Sequence, residues 1–189
     1  SCGQRLVRQN RRPKLLREAF GMSFAWLKSR LASMNPHNGA RKYLVTGASG
    51  YVGGRLVRAL IDDKEDVRIL VRDKNKIMGQ PWAPLVDICE GSAENFADLQ
   101  MALEGIHTAF YLLHSINLGP HFDEIESEMA RNFAKAAELA GVSQIIYLGG
   151  IANDVNISKH LASRAMTGTS LATTSVAVLE LRAGIIIGS

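Results

Sequence analysis

Two rhythms of apolar residues run along this chain: short unbroken apolar runs, and longer stretches in which apolar side chains return every three or four positions. The first stretch precedes residue 42. Leu16, Phe20, Phe24, Leu27 and Leu31 share one side of a helix expected to begin near Pro13, with Lys14, Arg17, Lys28 and Arg30 among its polar positions. A cluster of turn formers, Asn35-Pro36-His37-Asn38-Gly39, then separates this leader from a regular alternation. Tyr43-Leu44-Val45 reads as a buried strand. Val52, Leu56, Leu60 and Ile61 line one face of a helix whose outer face carries Arg55 and Arg58. Val67 to Val71 is the second strand, Val86 to Cys89 the third, and Phe96 to Leu103 a short helix. Thr108 to Leu113 makes a fourth strand. Phe122, Ile125, Met129, Phe133, Ala136 and Ala140 mark a long helix closed by Gly141, and Gln144 to Leu148 follows as the fifth strand. A helix from about Ser158 to Thr173 and a strand from Val176 to Leu181 complete the series.

Strands that alternate with helices in this way predict a doubly wound α/β domain from residue 42 to 189, a parallel sheet with helices on both faces and right-handed crossovers. The chain closes on the apolar run Ile185-Ile186-Ile187-Gly188-Ser189. We expect a further C-terminal region, the one that would hold a substrate, to be missing from it.

Charge changes the picture only for residues 1–41. The chain carries a net +4, yet its first 42 residues hold ten Lys and Arg against the single acid Glu18, so the remainder carries −5. The basic character therefore belongs to the leader, and the mildly acidic body gives no reason to expect a nucleic-acid partner. For the leader, three sharp readings stand: a surface helix touching an anionic membrane, a nucleic-acid arm, or a transit peptide. A plain solvated or processed extension outweighs them. No apolar run approaches the ~20 residues that span a bilayer. Cys2 and Cys89 offer no disulfide framework, and the scattered His37, His107, His114, His121 and His160 show no metal-ligand spacing. A cytoplasmic protein without a metal is expected.

The strongest chemical signal is Thr46-Gly47-Ala48-Ser49-Gly50-Tyr51-Val52-Gly53, because it follows a strand, opens a helix and leads to a second strand. Gly47 permits a sharp turn, Gly50 lets backbone approach a pyrophosphate, and Gly53 lets the helix lie close on the strand. The amides of Tyr51 and Val52, at the positive end of the helix dipole, would face the phosphates of NAD(H) or NADP(H). The second strand ends in Val71-Arg72-Asp73, where the adenosine ribose is expected. An acid there accepts from the 2′-hydroxyl of NAD, whereas an arginine pairs with the 2′-phosphate of NADP. Arg72, helped by Lys76, favours NADP(H) over NAD(H).

With that turn, the stretches Ala109-Phe110-Tyr111-Leu112-Leu113-His114-Ser115, Ala136 to Val142, Ile145 to Gly150 and Leu181 to Gly188 resemble the atypical short-chain dehydrogenase/reductases. Within these they are most similar to the NAD(P)H-binding group related to NmrA-like proteins and nucleoside-diphosphate-sugar epimerases. The resemblance implies a Rossmann fold in which Gly91-Ser92-Ala93 border the adenine and Leu112 to His114 run past the nicotinamide ribose. Family members often carry an acid where Ser92 stands. Mainstream relatives also place a Ser at the end of the fifth strand and Tyr-x-x-x-Lys on the next helix, to relay the proton that accompanies hydride transfer. Here Gly149-Gly150 end the strand, and the helix offers His160-Leu161-Ala162-Ser163-Arg164. His160 is the candidate proton carrier and Arg164, one turn on, a holder of an oxyanion or a ribose hydroxyl. A solvated His and Arg on a helix is an equal reading. Two functions follow: an NADP-dependent oxidoreductase or epimerase-like enzyme acting on a small molecule, or a non-catalytic NADP(H)-binding regulator or assembly subunit.

Overall fold

The computed structural model describes residues 41–113, 122–150 and 159–183, with the backbone alone for residues 122 and 159–161. The expected leader helix, His114 and the apolar C-terminal run lie outside the described residues.

Six parallel strands carry the domain: β1 (Lys42–Thr46), β2 (Asp66–Val71), β3 (Asp87–Glu90), β4 (Thr108–Tyr111), β5 (Gln144–Gly150) and β6 (Ala177–Ala183). Four α-helices connect them: α1 (Tyr51–Asp62), α2 (Phe96–Leu103), α3 (Phe122–Leu139) and α4 (Lys159–Leu171). Spatially the strands run β3-β2-β1-β4-β5-β6. Starting from β1, the chain builds outward to β3 and then returns to place β4 on the other side of β1. That reversal opens a crevice at the carboxyl ends of β1 and β4, the switch point at which sheets of this kind bind ligands.

Alternation along each strand sends successive side chains to opposite faces. Leu44 and Leu70 join Leu99, Phe133 and Leu171 of α2, α3 and α4 in one core, together with Tyr111 and Tyr147. The Tyr111 ring meets Phe133 edge-on at 5.0 Å and Tyr147 at 6.1 Å. Tyr43, Val45 and Ile69 point the other way, to the face where α1 packs on β1 and β2. Within α1 the buried apolar side chains are Val57 and Leu60, while Val52, Leu56 and Ile61 are half-buried. The helical spacing placed Leu60 on the buried face and missed Val57.

Between β2 and β3 there is no long helix. Gly79, Pro81 and Pro84 interrupt any continuous helical ladder. The crossover uses two short 3-10 turns instead, Lys74–Lys76 and Ala83–Leu85, pinned to the core by buried Ile77 and Trp82. At the opposite end of the sheet from the crevice, Asp87 accepts from Lys42 Nζ at 2.8 Å and Arg68 Nε at 2.7 Å. Those bonds hold its carboxyl below the usual carboxylate range. Arg68 Nη1 also donates to the carbonyls of Met101, Ala102 and Glu104, which caps the end of α2. No described helix is long and apolar enough to cross a membrane.

Candidate dinucleotide-binding site

The turn between β1 and α1 is built by close approach of main chain to main chain. Gly47 has φ +70°, and a Cβ there would lie 2.8 Å from the Leu112 carbonyl oxygen, so a side chain would push β1 away from the end of β4. A Cβ on Gly53 would run into the Gly47 carbonyl, 2.7 Å from its carbon and 2.9 Å from Ala48 Cα. Gly50 N–H donates to Gly47 O at 3.0 Å, and Gly50 is the extended N-cap residue of α1. The first intrahelical bond is Gly54 N–H to Gly50 O at 2.9 Å, which places the amides of Tyr51, Val52 and Gly53 ahead of the helical ladder. No side chain caps this end, and the first turn holds no acid. Its amides and dipole are thus available to an anion. Ser49 and Tyr51 are exposed, and the Arg55 guanidinium sits 4.5 Å above the Tyr51 ring.

Across the crevice, the buried Thr46 hydroxyl donates to Phe110 O and accepts from Leu112 N–H, each at 3.0 Å. It clasps the ends of β1 and β4 together at the switch point. Thr46 heads the glycine turn in the sequence, but a threonine closing an apolar strand is an ordinary β-former and gives no sign of this clasp. Its partners are more than sixty residues away.

Arg72 is exposed immediately after β2. Its neighbour Asp73 accepts from Asn75 N–H at 3.0 Å and so caps the 3-10 turn. Next to β3, Gly91 N–H donates to Val71 O at 2.9 Å, and Ser92 Oγ accepts from Glu94 N–H at 3.2 Å. Ala93 is buried in the core. Two residues passed over in the sequence shape this loop. Asn95 caps α2 by accepting from Ala97 and Asp98 amides, and Asp98 Oδ2 accepts from Ser92 N–H at 2.8 Å. Their spacing, Asn at the cap and an acid three residues on, is a legible helix-start signal. That the carboxylate reaches back to residue 92 is not.

The residues proposed for proton transfer are less completely assembled. His160 lies in the first turn of α4, with only its backbone described. Arg164 is half-buried, and its carbonyl accepts from the Tyr147 hydroxyl at 3.1 Å. Burial pushes the Tyr147 phenol up to about 12, against the lowering effects of the Thr167 hydroxyl and the Arg164 charge. Its hydroxyl is engaged with the Arg164 carbonyl inside the fold, between β5 and α4. At the end of β5, a Cβ on Gly149 would strike Glu180 Oε1, so a carboxylate from β6 fills the space beside the glycine. Ser163 of α4 donates to Glu126 of α3 and is committed to holding the two helices together.

Strand order, switch-point crevice and glycine turn define the class: an α/β domain that binds a dinucleotide. The chain belongs to the NAD(P)H-binding family, which matches residues 47–182, and its similarities are consistent with the atypical short-chain dehydrogenase/reductase group its motifs resemble. It is 30% identical over 116 residues to a 3-beta-hydroxysteroid dehydrogenase of Mycolicibacterium neoaurum, covering 56% of this chain and 31% of that protein. It is 25% identical over 128 residues to cinnamoyl-CoA reductase 1 of Oryza sativa subsp. japonica, covering 64% and 38%. The triphenylmethane reductase of Citrobacter sp., whose structure is known in complex with NADP(H), superposes with a TM-score of 0.62 at 25% identity. That match covers 75% of this chain and 48% of the reductase. The chain thus spans about a third of its two curated relatives and half of the reductase.

Proposed function

We propose that this chain is the coenzyme-binding part of an NADP(H)-dependent oxidoreductase or epimerase-like enzyme acting on a small molecule, with NADP(H) preferred over NAD(H). The single observation that carries the reading is the uncapped, acid-free start of α1 beside the Gly47–Gly53 contact at the switch point. The amides of Tyr51, Val52 and Gly53 would hold the diphosphate, with Ser49 and Gly50 alongside. Ser92 and Ala93 would border the adenine, and Leu112 and His114 the nicotinamide ribose. Bound nicotinamide would supply or accept a hydride. The preference for NADP(H) is supported by exposed Arg72 immediately after β2, and by the engagement of one Asp73 oxygen in its own turn. A cytoplasmic setting accords with two cysteines that offer no disulfide framework.

Thermal unfolding with each coenzyme tests the reading. At a hundredfold excess over its dissociation constant, NADPH should add about 2.7 kcal/mol of stability. Arg72→Ala should cost NADPH roughly 1.5–3 kcal/mol of binding, the range for a hydrogen bond to a charged group, and leave NADH nearly unchanged. Equal losses for both would remove Arg72 from the 2′-phosphate.

For catalysis, His160 is assigned to proton transfer and Arg164 to holding an oxyanion or ribose hydroxyl. His160→Ala should slow carbonyl reduction by about 10²-fold or more while NADPH binding persists. An unaffected rate would end the assignment. The second reading, a coenzyme-binding regulator or assembly subunit without turnover, is favoured by Gly149-Gly150 in place of the strand-end serine and by the missing Tyr-x-x-x-Lys. It predicts coenzyme binding with no reduction of any carbonyl probe by the full-length protein.

A further inference from the structure

Where β2 and β3 end side by side, Arg72, Asp73, Lys74 and Glu90 stand close together. Val71 and Glu90 are register partners, so Glu90 closes β3 beside the residue that precedes Arg72. Its Oε1 accepts from the Lys74 main-chain N–H at 3.2 Å, and its Oε2 lies 3.5 Å from Lys74 Nζ. Asp73 is turned into the same short segment through Asn75. The four formal charges cancel. A site meant only to collect a phosphate dianion gains nothing from a carboxylate beside its cations.

Both side chains of the Lys74–Glu90 pair are about half exposed, at 57% and 45%. An ion pair in that setting is weak and yields easily to a stronger anion. A phosphate arriving at Arg72 would find a second cation two residues further on, but one already shared with a carboxylate. Building on the NADP(H) reading of Arg72, we propose that Glu90 sets the coenzyme preference by competing with the 2′-phosphate for Lys74. Glu90 restrains discrimination between the two coenzymes, and the contest costs NADP(H) affinity without touching NAD(H), which brings no phosphate to this position.

Glu90→Gln isolates the charge, because the glutamine oxygen still accepts from the Lys74 N–H and keeps the turn. Titration calorimetry with NADPH and NADH should be run on the whole chain, on Glu90→Gln, on Lys74→Ala and on the double variant. Glu90→Gln is expected to bind NADPH about three- to fivefold tighter, the worth of an exposed ion pair, and NADH within about twofold of the parent. Lys74→Ala should weaken NADPH, and adding Glu90→Gln to it should bring no further gain. NADPH binding that Glu90→Gln leaves unchanged, weakens, or tightens equally with NADH would overturn the proposal, as would a gain that survives in the Lys74→Ala background. Those failures leave the coenzyme site standing. A parent chain that binds neither coenzyme would overturn the site itself and this inference with it.

Discussion

Gly53→Ala is expected to cost about 3 kcal/mol of stability, lowering the melting temperature by roughly 6–12 °C, and to weaken NADPH and NADH alike by at least about tenfold. The added methyl meets main chain rather than a movable side chain. Gly47 C and Ala48 Cα stand 2.7 and 2.9 Å from it, and the Gly47 oxygen is nearer still. The clash is relieved only if α1 pivots off β1. Such a pivot would move the Tyr51 and Val52 amides that are to meet the diphosphate, and it would loosen the packing of Val57 and Leu60. Stability and binding should therefore fall together. Differential scanning calorimetry and coenzyme titration on the same variant check it; a stable Gly53→Ala that still binds both coenzymes would mean that the helix start is not where the diphosphate lies.

Thr46→Val carries the next largest effect. Valine keeps the shape of threonine but can neither donate to Phe110 O nor accept from Leu112 N–H. A stranded amide next to β4 costs about 1–3 kcal/mol, and the ends of β1 and β4 lose the clasp that sets the width of the crevice between them. Coenzyme affinity should drop for NADPH and NADH in equal measure, in contrast to the selective effect at Arg72. Thr46→Ser should restore most of both, since the hydroxyl is what matters. Failure of serine to rescue would assign the effect to packing rather than to the clasp.

These two positions show different degrees of legibility. The role of Gly53 was readable because three glycines at three-residue intervals between a strand and a helix answer a local demand, the close passage of a helix over the strand that precedes it. Thr46 was not, because its partners arrive only when β4 returns to the opposite side of β1. The same separation applies to Glu90. It looks like an ordinary charged strand end until the register of β2 and β3 places it against Lys74. Glu180 is a further case, since only the pairing of β5 with β6 brings its carboxylate over Gly149. In the crossover from β2 to β3, Gly79, Pro81 and Pro84 leave room for short turns only, and which residues anchor them, Ile77 and Trp82, was settled by tertiary packing.

Alternating periods of apolar residues determined the class of fold and the element limits to within about two residues, and the glycine spacing determined where a helix would start close against the strand before it. Both are short-range properties, written within ten or twenty consecutive residues, because helix and strand periodicity and backbone sterics act locally. Tertiary structure alone decided the order of strands, the threonine clasp at the switch point and the charge balance beside Arg72. Those depend on groups distant along the chain coming within hydrogen-bonding reach, and no local pattern encodes a distance that only the completed sheet creates.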